Sequence, residues 1–427
     1  MKIDQLYQHF INANGVTTDT RKINKNQLYF AIKGANFNGN QFAKNAIEAG
    51  ASYAIIDEAE YKISDQYILV EDVLLTLQQL GNYHLKQVKP TAIIAITGSN
   101  GKTTTKELVN AVLATTFKTH YTKGNLNNHI GIPLTLLEMP TNTEIAVIEM
   151  GANHQQEIES YCKYVEPNYG IITNCGKAHL EGFGGIDGIK KGKGELYDYL
   201  KNKNGKVFVN GDDDNLLQML HERAMTNFIS YGENLNNNIH GEILNAQPFL
   251  KIALEDTVIA SNLFGSYNYS NIMCAIAVGK YFNVMNQAIK LAIENYQPTN
   301  ARSQVVDKQG YQIVLDAYNA NPTSMQHALE NFAKSTPKKK IVLLGDMFEL
   351  GEFATEEHQR IADLTMSLQF DIIVLVGKEF AKTNTINNVL KFDAVEDAQH
   401  WFMQQDFTDA MLLLKGSRSM KMEKIIA

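Results

Sequence analysis

The sequence predicts an α/β protein of three domains, for three reasons. Its 427 residues suggest about three domains at roughly 150 residues each. Short apolar runs alternate with amphipathic stretches, which is the pattern of βαβ units with a mostly parallel sheet. Polar stretches around Pro90 and Pro298 then divide the chain into blocks of 1–88, 89–297 and 298–427.

Composition excludes several classes of protein. The chain is 44% apolar and 20% charged, as in ordinary globular proteins. Its net charge of −7 argues against bulk binding of nucleic acid or anionic membranes. It has no apolar run long enough to cross a membrane and no apolar leader at its start, so we expect no membrane insertion. The three cysteines form neither a disulfide framework nor a zinc spacing, which favours a reducing, cytoplasmic compartment.

The strands come in two series. In the middle block, TAIIAITG precedes the helical TTTKELVNAVLATTF, and the runs EIAVIEMG and YGIITNCG follow. In the last block, YQIVLDAY, KKKIVLLGD, FDIIVLVG and DAMLLLKGS are separated by helical stretches such as PTSMQHALENFAKS. Ligands bind at the carboxyl ends of the strands in such sheets, and most polar residues of interest follow a strand.

The segment AITGSNGKTTT predicts a phosphate-binding loop. Gly98 and Gly101 let backbone N–H groups face an anion at a helix start, Lys102 reaches the phosphates, and Thr103 is placed to bind Mg²⁺. The general motif has a further glycine five residues before Gly101, where this chain has isoleucine. A strand-to-helix turn with a chance Gly-Lys-Thr is the alternative, but strand, glycines, lysine and threonines all fall in the required order.

The shorter loop TGSNGKTTT resembles that of the Mur ligases and of the related folylpolyglutamate synthetase, which join an amine to a carboxylate at the expense of ATP. Further segments follow in the family's order over nearly the whole chain: GNLNNHIGIPLTLL, AVIEMGANHQQEI, AHLEGFGG, LDAYNANPTSM and LLGDMFELG. The NLNN, HLEGFG, YNANP and LGDMFELG forms are similar to those of family members that add D-alanyl-D-alanine to UDP-N-acetylmuramoyl-tripeptide.

This resemblance implies a fold and an activity. The fold is a central P-loop-type parallel sheet between an N-terminal UDP-binding α/β domain and a C-terminal Rossmann-like domain that closes on ATP and the dipeptide. The activity is an ATP-dependent amide ligation through an acyl phosphate, in cytoplasmic peptidoglycan precursor synthesis, by a monomer that needs ATP and Mg²⁺. Two alternatives stay open, a paralogue that adds a single amino acid and a non-catalytic nucleotide-binding module.

Two residues that follow strands are candidate Mg²⁺ ligands. Glu149 ends the run EIAVIEM at a Walker-B-like position, although a glutamate in a surface turn would look the same. His179 follows YGIITNCGKA in a glycine-flanked loop. A lone histidine is more often structural than a ligand, but the resemblance implies that His179 meets a second Mg²⁺. Because Mg²⁺ prefers oxygen, that site would still lack negative oxygen ligands.

The basic stretch GIKKGKGELYDYL offers one such ligand. By itself it is typical of a solvated surface run. The resemblance implies instead that Lys193, before GELY, is carbamylated by CO₂, which turns an ammonium into a carboxylate. Lys190, Lys191 and Lys201 would be ordinary surface lysines. The catalytic set implied is Lys102, Glu149, His179 and Lys193, and the metal ligands implied are Thr103, Glu149, His179 and Lys193.

The resemblance also implies binding residues, for which helix capping and turn formation are the local alternatives. Tyr267 stands where relatives usually have histidine, and Asn38 to Asn40 read NGN where DGH is common. For ATP the implied contacts are Gly98, Ser99, Asn100, Gly101, Lys102, Thr103, Thr104, Asn271, Arg302 and Asp316. For the substrates they are Thr20, Arg21, Gly34, Asn125, Asn128, Asn319 and Asn321.

Overall fold

A computed structural model describes residues 1–299, 301–308, 310–336, 339–386 and 388–426. It confirms the α/β class, with an N-terminal, a central and a C-terminal sheet that follow one another along the chain. Among these residues, none of the helices combines the length and apolar character needed to span a bilayer. The borders of the three predicted blocks stay predictions.

The N-terminal unit is a parallel sheet in the order β1-β2-β5-β6, with a small hairpin, β3-β4, beside it. The longest helix of this unit, α3, begins where the Asp72 carboxylate accepts a hydrogen bond from the Leu75 N–H, and it ends at Lys89 in a left-handed conformation before Pro90. The elements are α1 (Ile3–Ile11), β1 (Val16–Thr17), β2 (Leu28–Phe30), β3 (Lys33–Gly34), β4 (Phe37–Asn38), α2 (Ala43–Glu48), β5 (Tyr53–Ile56), β6 (Tyr67–Leu69) and α3 (Val73–Val88).

The central unit contains a parallel sheet in the order β13-β12-β11-β10-β7-β9-β8. Every residue of β7 is buried, as its continuous apolar run predicts. The elements are β7 (Ala92–Thr97), α4 (Lys102–Leu113), β8 (Thr119–Tyr121), α5 (Gly131–Leu137), β9 (Ile145–Glu149), α6 (Glu157–Val165), β10 (Tyr169–Ile172), α7 (Leu180–Phe183), α8 (Ile186–Asn202), β11 (Lys206–Asn210), α9 (Asp214–Glu222), β12 (Phe228–Gly232) and β13 (Ile239–His240).

A separate antiparallel sheet, β14-β15-β16, follows in the same block, and the sequence patterns did not predict it. Its strands are β14 (Glu242–Asn245), β15 (Phe249–Leu254) and β16 (Thr257–Phe264), and helices α10 (Tyr269–Tyr281) and α11 (Asn286–Asn295) follow. Buried residues of α10 and α4 share one apolar core with β7 and β15, so this sheet and α10 lie on the same side of the central sheet as the P-loop helix.

The C-terminal unit has a sheet in the order β17-β18-β22-β19-β20-β21, parallel except for the antiparallel pair β17-β18. Its elements are β17 (Gln304–Lys308), β18 (Tyr311–Asp316), α12 (Pro322–Ala333), β19 (Lys339–Gly345), α13 (Ala354–Ser367), β20 (Ile372–Val376), α14 (Lys378–Ala381), β21 (Val389–Phe392), α15 (Val395–Phe402) and β22 (Ala410–Lys415).

The C-terminal unit packs directly on the central one. Buried side chains of both belong to one continuous apolar cluster, in which the rings of Phe264 and Phe332 lie 6.5 Å apart between centroids. The carboxyl ends of the central and C-terminal strands therefore face a common cleft. Its volume is about 1040 Å³, and residues of both units line it.

Candidate active site

The predicted phosphate-binding loop, called the phosphate loop below, joins β7 to α4. Gly98 and Gly101 have φ angles of +138° and +79°, and a Cβ atom would lie 2.0 Å from Thr173 Oγ1 at Gly98 and 2.5 Å from Asn271 Oδ1 at Gly101. Only glycine fits both positions. Lys102 Nζ donates hydrogen bonds to the carbonyl oxygens of Gly98 at 2.7 Å and Ser99 at 3.1 Å. The ammonium is thus held inside the loop, where burial lowers the pKa of Lys102.

A hydroxyl and a carboxylate meet beside this loop. The Thr103 hydroxyl, in the first turn of α4, donates to the Glu149 carboxylate, with oxygens 2.9 and 3.1 Å away. Glu149 ends β9, which neighbours β7 in the sheet, so the pairing follows from strand order. Asn127 Nδ2 also donates to Glu149 at 2.7 Å, and Lys106 Nζ lies 3.6 Å from it. Glu149 is 1% exposed, and its oxygens are fixed from several sides.

His179 lies across the cleft, immediately after the loop that follows β10. Its φ of +55° is unusual for a residue with a Cβ atom, and its ring Nδ1 contacts the Glu349 carboxylate of the C-terminal unit. The interaction with the His179 side chain is the main cause that lowers the pKa of Glu349. His179 lines the cleft, but its partner in the structure comes from a different unit than Thr103 and Glu149.

The basic stretch forms part of helix α8, and Lys193 lies on the buried face of that helix. Lys191 and Lys201 are exposed and Lys190 is half-buried, whereas Lys193 is 1% exposed. Its Nζ donates to the Ala152 carbonyl at 3.2 Å and lies 4.9 Å from the centre of the Phe183 ring. Burial, with a further contribution from the charge of Lys102, lowers the pKa of Lys193 to about 7.

Two amides connect the phosphate loop to the C-terminal unit. Asn321 Nδ2 donates to Asn100 Oδ1 at 2.7 Å, and the Asn321 side chain also caps α12 by accepting from the Ser324 N–H at 2.9 Å. Nearby, Lys177 Nζ lies 2.5 Å from a Glu357 oxygen, again between the two units. These contacts join the two units beside the cleft.

Asn271 lies behind the phosphate loop. Its Oδ1 accepts from the Thr105 hydroxyl at 3.0 Å, and its Nδ2 donates to Asn268 Oδ1 at 2.9 Å. The side chain therefore joins α10 to α4. Tyr267, in place of the family's histidine, has its hydroxyl 2.8 Å from Ser303 Oγ of the C-terminal unit.

On the C-terminal side, Arg302 stacks with its guanidinium carbon 3.6 Å from the centre of the Tyr318 ring. Asp316 and Lys415 end the adjacent strands β18 and β22, and Lys415 Nζ donates to Asp316 Oδ2 at 2.6 Å. Asp316 Oδ1 accepts from the Ser303 N–H at 3.1 Å. Asp316 thus lines the cleft with its negative charge already balanced.

The predicted substrate residues fall into two groups. Asn125 and Asn319 line the cleft, as does Asn128, whose Oδ1 accepts from two N–H groups at the start of α5. Three predicted residues lie in the N-terminal unit and do not line the cleft: Thr20, Arg21 and Gly34. The Arg21 guanidinium is bound by the neighbouring Asp19 carboxylate at 2.8 Å, and the Arg21 side chain is 85% exposed.

Most predicted site residues meet in this one cleft. Those that line it are Ser99, Asn100, Gly101, Lys102, Thr103, Thr104, Asn125, Asn128, Glu149, His179, Asn271, Arg302, Asp316 and Asn319. Gly98, Lys193 and Asn321 lie behind its wall, where their contacts hold residues that do line it. The described part of the chain contains no group of three or more His, Cys, Asp or Glu side chains arranged to hold a metal.

Sequence reasoning did not predict the contacts of three residues of the site. Asn127 orients Glu149. The sequence feature that pointed to it was the segment NLNN, which contains more amides than one helix cap requires. Lys106 is 0% exposed, and its Nζ has no hydrogen-bond partner among the residues that the structure describes. Its position one turn after Lys102 on the P-loop helix was the available signal. Glu349, which contacts His179, belongs to the motif LGDMFELG, for whose residues the sequence predicted no role.

Comparison with known proteins agrees with this geometry. The Mur ligase family, catalytic domain, matches residues 12–91, the Mur ligase middle domain matches residues 96–279, and the Mur ligase, glutamate ligase domain, matches residues 301–418. The UDP-N-acetylmuramoyl-tripeptide–D-alanyl-D-alanine ligase of Bacillus subtilis is 34% identical over 97% of this chain and 92% of its own length. That of Escherichia coli is 32% identical over 97% and 93%.

A solved structure has the same architecture. The crystal structure of MurF from Acinetobacter baumannii superposes with a TM-score of 0.87 at 29% identity, and covers 100% of this chain and 97% of its own. The family models cover the N-terminal, central and C-terminal units, and the relatives align over nearly the whole length. The chain therefore belongs to the Mur ligase family.

Proposed function

We propose that this protein is an ATP-dependent ligase that joins D-alanyl-D-alanine to UDP-N-acetylmuramoyl-tripeptide in peptidoglycan precursor synthesis. The observation that carries the proposal is the cleft itself. Lys102 and the Thr103–Glu149 pair face residues of the C-terminal unit across it. The relatives from Bacillus subtilis and Escherichia coli, whose names state this activity, align over 97% of the chain.

The residues around Glu149 fit Mg²⁺. Thr103 and Glu149 supply adjacent oxygen atoms, the donor type that Mg²⁺ prefers, in the position where a P-loop protein holds its metal. When bound there, Mg²⁺ neutralises charge that accumulates on the phosphoryl oxygens. Asn127 and Thr122 keep the glutamate oriented, because they hydrogen-bond its carboxylate and its backbone N–H respectively.

His179 and Lys193 form the second part of the proposed metal site. Lys193 contributes as a carbamate. The neutral amine adds to CO₂ and loses one proton, which leaves one negative charge on the new carboxylate. The support is burial, since a pKa of about 7 leaves about half of the lysine neutral at pH 7. A carbamate also supplies the anionic oxygen that a set containing only one carboxylate and a neutral imidazole lacks.

The chemistry itself follows from position and charge. The backbone N–H groups of the P-loop hold the phosphates of ATP, and Lys102 leaves the loop carbonyls to neutralise them. The terminal carboxylate of the tripeptide attacks the γ-phosphorus, ADP leaves, and an acyl phosphate forms. The dipeptide amine then attacks the acyl carbon, loses a proton, and displaces phosphate. Arg302 reaches the same phosphates from the C-terminal side.

Closure of the C-terminal unit protects the acyl phosphate from water. Asn321 is placed to act in this closure because it touches Asn100 of the phosphate loop. We further propose that Asn125, Asn128 and Asn319 bind the substrates from the cleft wall. The UDP end extends toward the N-terminal residues that lie outside the cleft, namely Thr20, Arg21 and Gly34.

We expect the protein to act as a monomer in the cytoplasm. Its cysteines, Cys162, Cys175 and Cys274, are free, which suits a reducing compartment. The substrates are small molecules, so neither nucleic acid nor membrane insertion enters the proposed reaction.

The proposal is tested by a panel of acceptors. Phosphate release is measured with ATP, UDP-N-acetylmuramoyl-tripeptide and either D-alanyl-D-alanine or single amino acids. We expect turnover only when the dipeptide is present, and transfer of ¹⁸O from the tripeptide carboxylate to phosphate. Turnover with single amino acids instead would identify a paralogous activity. ATP hydrolysis independent of the dipeptide, without ¹⁸O transfer, would favour a nucleotide-binding module without ligase chemistry.

A further inference from the structure

The motif LGDMFELG forms a rigid support in the C-terminal unit. Asp346, which follows β19, is 3% exposed and accepts hydrogen bonds from the N–H groups of Glu379 at 3.0 Å and Phe380 at 2.9 Å, at the start of α14. The next two N–H groups, of Met347 and Phe348, donate to His358 Nε2 and Ser417 Oγ, both at 3.0 Å. Three consecutive residues are thus fixed by their own unit.

The residue after this support points away from its own unit. Glu349 has a φ of +64°, and its carboxylate contacts Nδ1 of His179 in the central unit. His179 itself has a φ of +55°. Left-handed conformations cost of order 1–3 kcal/mol at residues with a Cβ atom and persist where the surrounding structure imposes them. Here both strained residues face each other across the interface between two units.

The neighbouring residues keep the two loops together. A Cβ atom on Gly351, whose φ is +54°, would lie 3.1 Å from the side chain of Glu181, two residues after His179. A side chain here would push Glu181 back and would strain the backbone at this angle. The contact between Glu349 and His179 is therefore part of a fitted surface between the two loops.

The chemistry of the pair determines which ring nitrogen carries the proton. An ionised carboxylate can only accept hydrogen bonds, so its contact with Nδ1 of His179 favours the tautomer that carries the proton on Nδ1. In the neutral imidazole Nε2 then carries no proton, and its lone pair is free to bind a metal. Metal-ligating histidines characteristically donate their other N–H to a carboxylate or a carbonyl, and losing that partner weakens metal binding about 10-fold to 100-fold.

We infer that Glu349 is a positioning residue of the active site, which the C-terminal unit delivers to His179 when the cleft closes. It holds the ring orientation and the tautomer in which Nε2 binds a divalent cation, so closure and completion of the metal site are one event. This inference rests on the proposed function, since it takes His179 to be a metal ligand. Glu349 itself touches neither the cation nor the substrates.

The test compares Glu349→Ala and Glu349→Gln with Glu352→Gln, a change of an exposed glutamate three residues later. Mn²⁺ binding is measured by electron paramagnetic resonance in the presence of a non-hydrolysable ATP analogue. ¹⁵N spectra of the histidine rings identify the His179 tautomer by difference from His179→Ala. Small-angle scattering reports whether each variant keeps the domain arrangement of the parent.

We expect Glu349→Ala to bind Mn²⁺ about 10-fold to 100-fold more weakly and to lose the Nδ1-protonated ring signal. Glu349→Gln, whose amide oxygen still accepts from Nδ1, should recover part of both, and Glu352→Gln should match the parent. If Glu349→Ala opens the cleft, the comparison of Glu349→Gln with Glu352→Gln decides. Unchanged Mn²⁺ affinity and an unchanged ring signal in the Glu349 variants overturn the inference.

His179→Ala separates this inference from the one on which it rests. If His179→Ala binds Mn²⁺ as tightly as the parent, His179 is not a ligand and the proposed metal site is wrong. If His179→Ala weakens Mn²⁺ binding while Glu349→Ala leaves it unchanged, the metal site stands and only the role of Glu349 is wrong.

Discussion

Replacement of Lys193 gives the most direct test of the proposed chemistry. Burial lowers the pKa of this lysine from 10.5 to about 7. At pH 7 the neutral, CO₂-reactive fraction is then about one half, whereas at a pKa of 10.5 it would be roughly one in 3,000. The protein environment therefore increases the reactive form of Lys193 by about a thousandfold.

We expect Lys193→Ala to lower kcat by at least about 100-fold, a loss comparable to that of one electrostatic catalytic group. Small carboxylic acids should restore part of the rate, because they supply the missing anionic oxygens. Lys191→Ala, two residues earlier on the exposed face of α8, is the matched control and should match the parent. Lys193→Met, which keeps the buried volume filled, and thermal unfolding of each variant separate lost chemistry from lost structure.

The parent protein should also respond to pH and to CO₂. Because the neutral amine is the reactive form, carbamylation should fall as the pH drops below about 7, the pKa of Lys193. Activity should fall in CO₂-free buffer and return with bicarbonate, and ¹³C-bicarbonate should give one carbamate resonance that Lys193→Ala lacks. The reasoning is refuted if Lys193→Ala keeps a near-normal rate, or if Lys191→Ala loses activity in its place.

Substitutions at three further residues test individual contacts. Asn321→Ala should lower the free energy of unfolding of the C-terminal unit by about 1 kcal/mol, measured by thermal unfolding, and should raise the KM for ATP. Asn321→Asp should keep the helix cap and show only the rise in KM. An unchanged KM in both variants would contradict a role in closure. Asn127→Ala should weaken Mg²⁺ binding, and so raise the Mg²⁺ concentration needed for half-maximal activity, about 10-fold, because Glu149 loses an orienting donor at 2.7 Å. An unchanged Mg²⁺ titration would contradict this. Asp316→Asn should lower the free energy of unfolding, measured in denaturant, by about 3 kcal/mol, because Lys415, 2% exposed, would stay buried without an opposite charge beside it. A variant as stable as the parent would refute this.

Local sequence patterns were sufficient for much of the fold and part of the site. The apolar run of β7 predicts a buried strand, and the structure has it from Ala92 to Thr97. The glycines and the lysine of the P-loop lie where the motif predicts, because their roles depend on a few consecutive residues. The antiparallel sheet β14-β15-β16 escaped prediction, since its strands are half-exposed and lack long apolar runs.

The predicted amides show where local reasoning stops. Asn128 and Asn321 both cap helices, as their spacing allows, but only the fold shows that Asn321 also meets Asn100 of the phosphate loop, 221 residues away. Asn127, with the same local signal as its neighbours, is the amide that reaches Glu149. Partner choice in such loops depends on which strands lie side by side, and the loop sequence does not encode strand order.

By itself, the sequence determined the α/β class, the phosphate loop and the family resemblance, because these depend on local periodicity and contiguous motifs. The resemblance singled out Lys193 in GIKKGKGELYDYL, but only the tertiary structure shows the physical reason why this lysine differs from its neighbours. On a helix Lys191 and Lys193 lie on different faces, and packing against Phe183 and the loop of Ala152 buries one and leaves the other in water. The pairing of Glu349 with His179 has the same origin, since it exists only where two separately folded units meet.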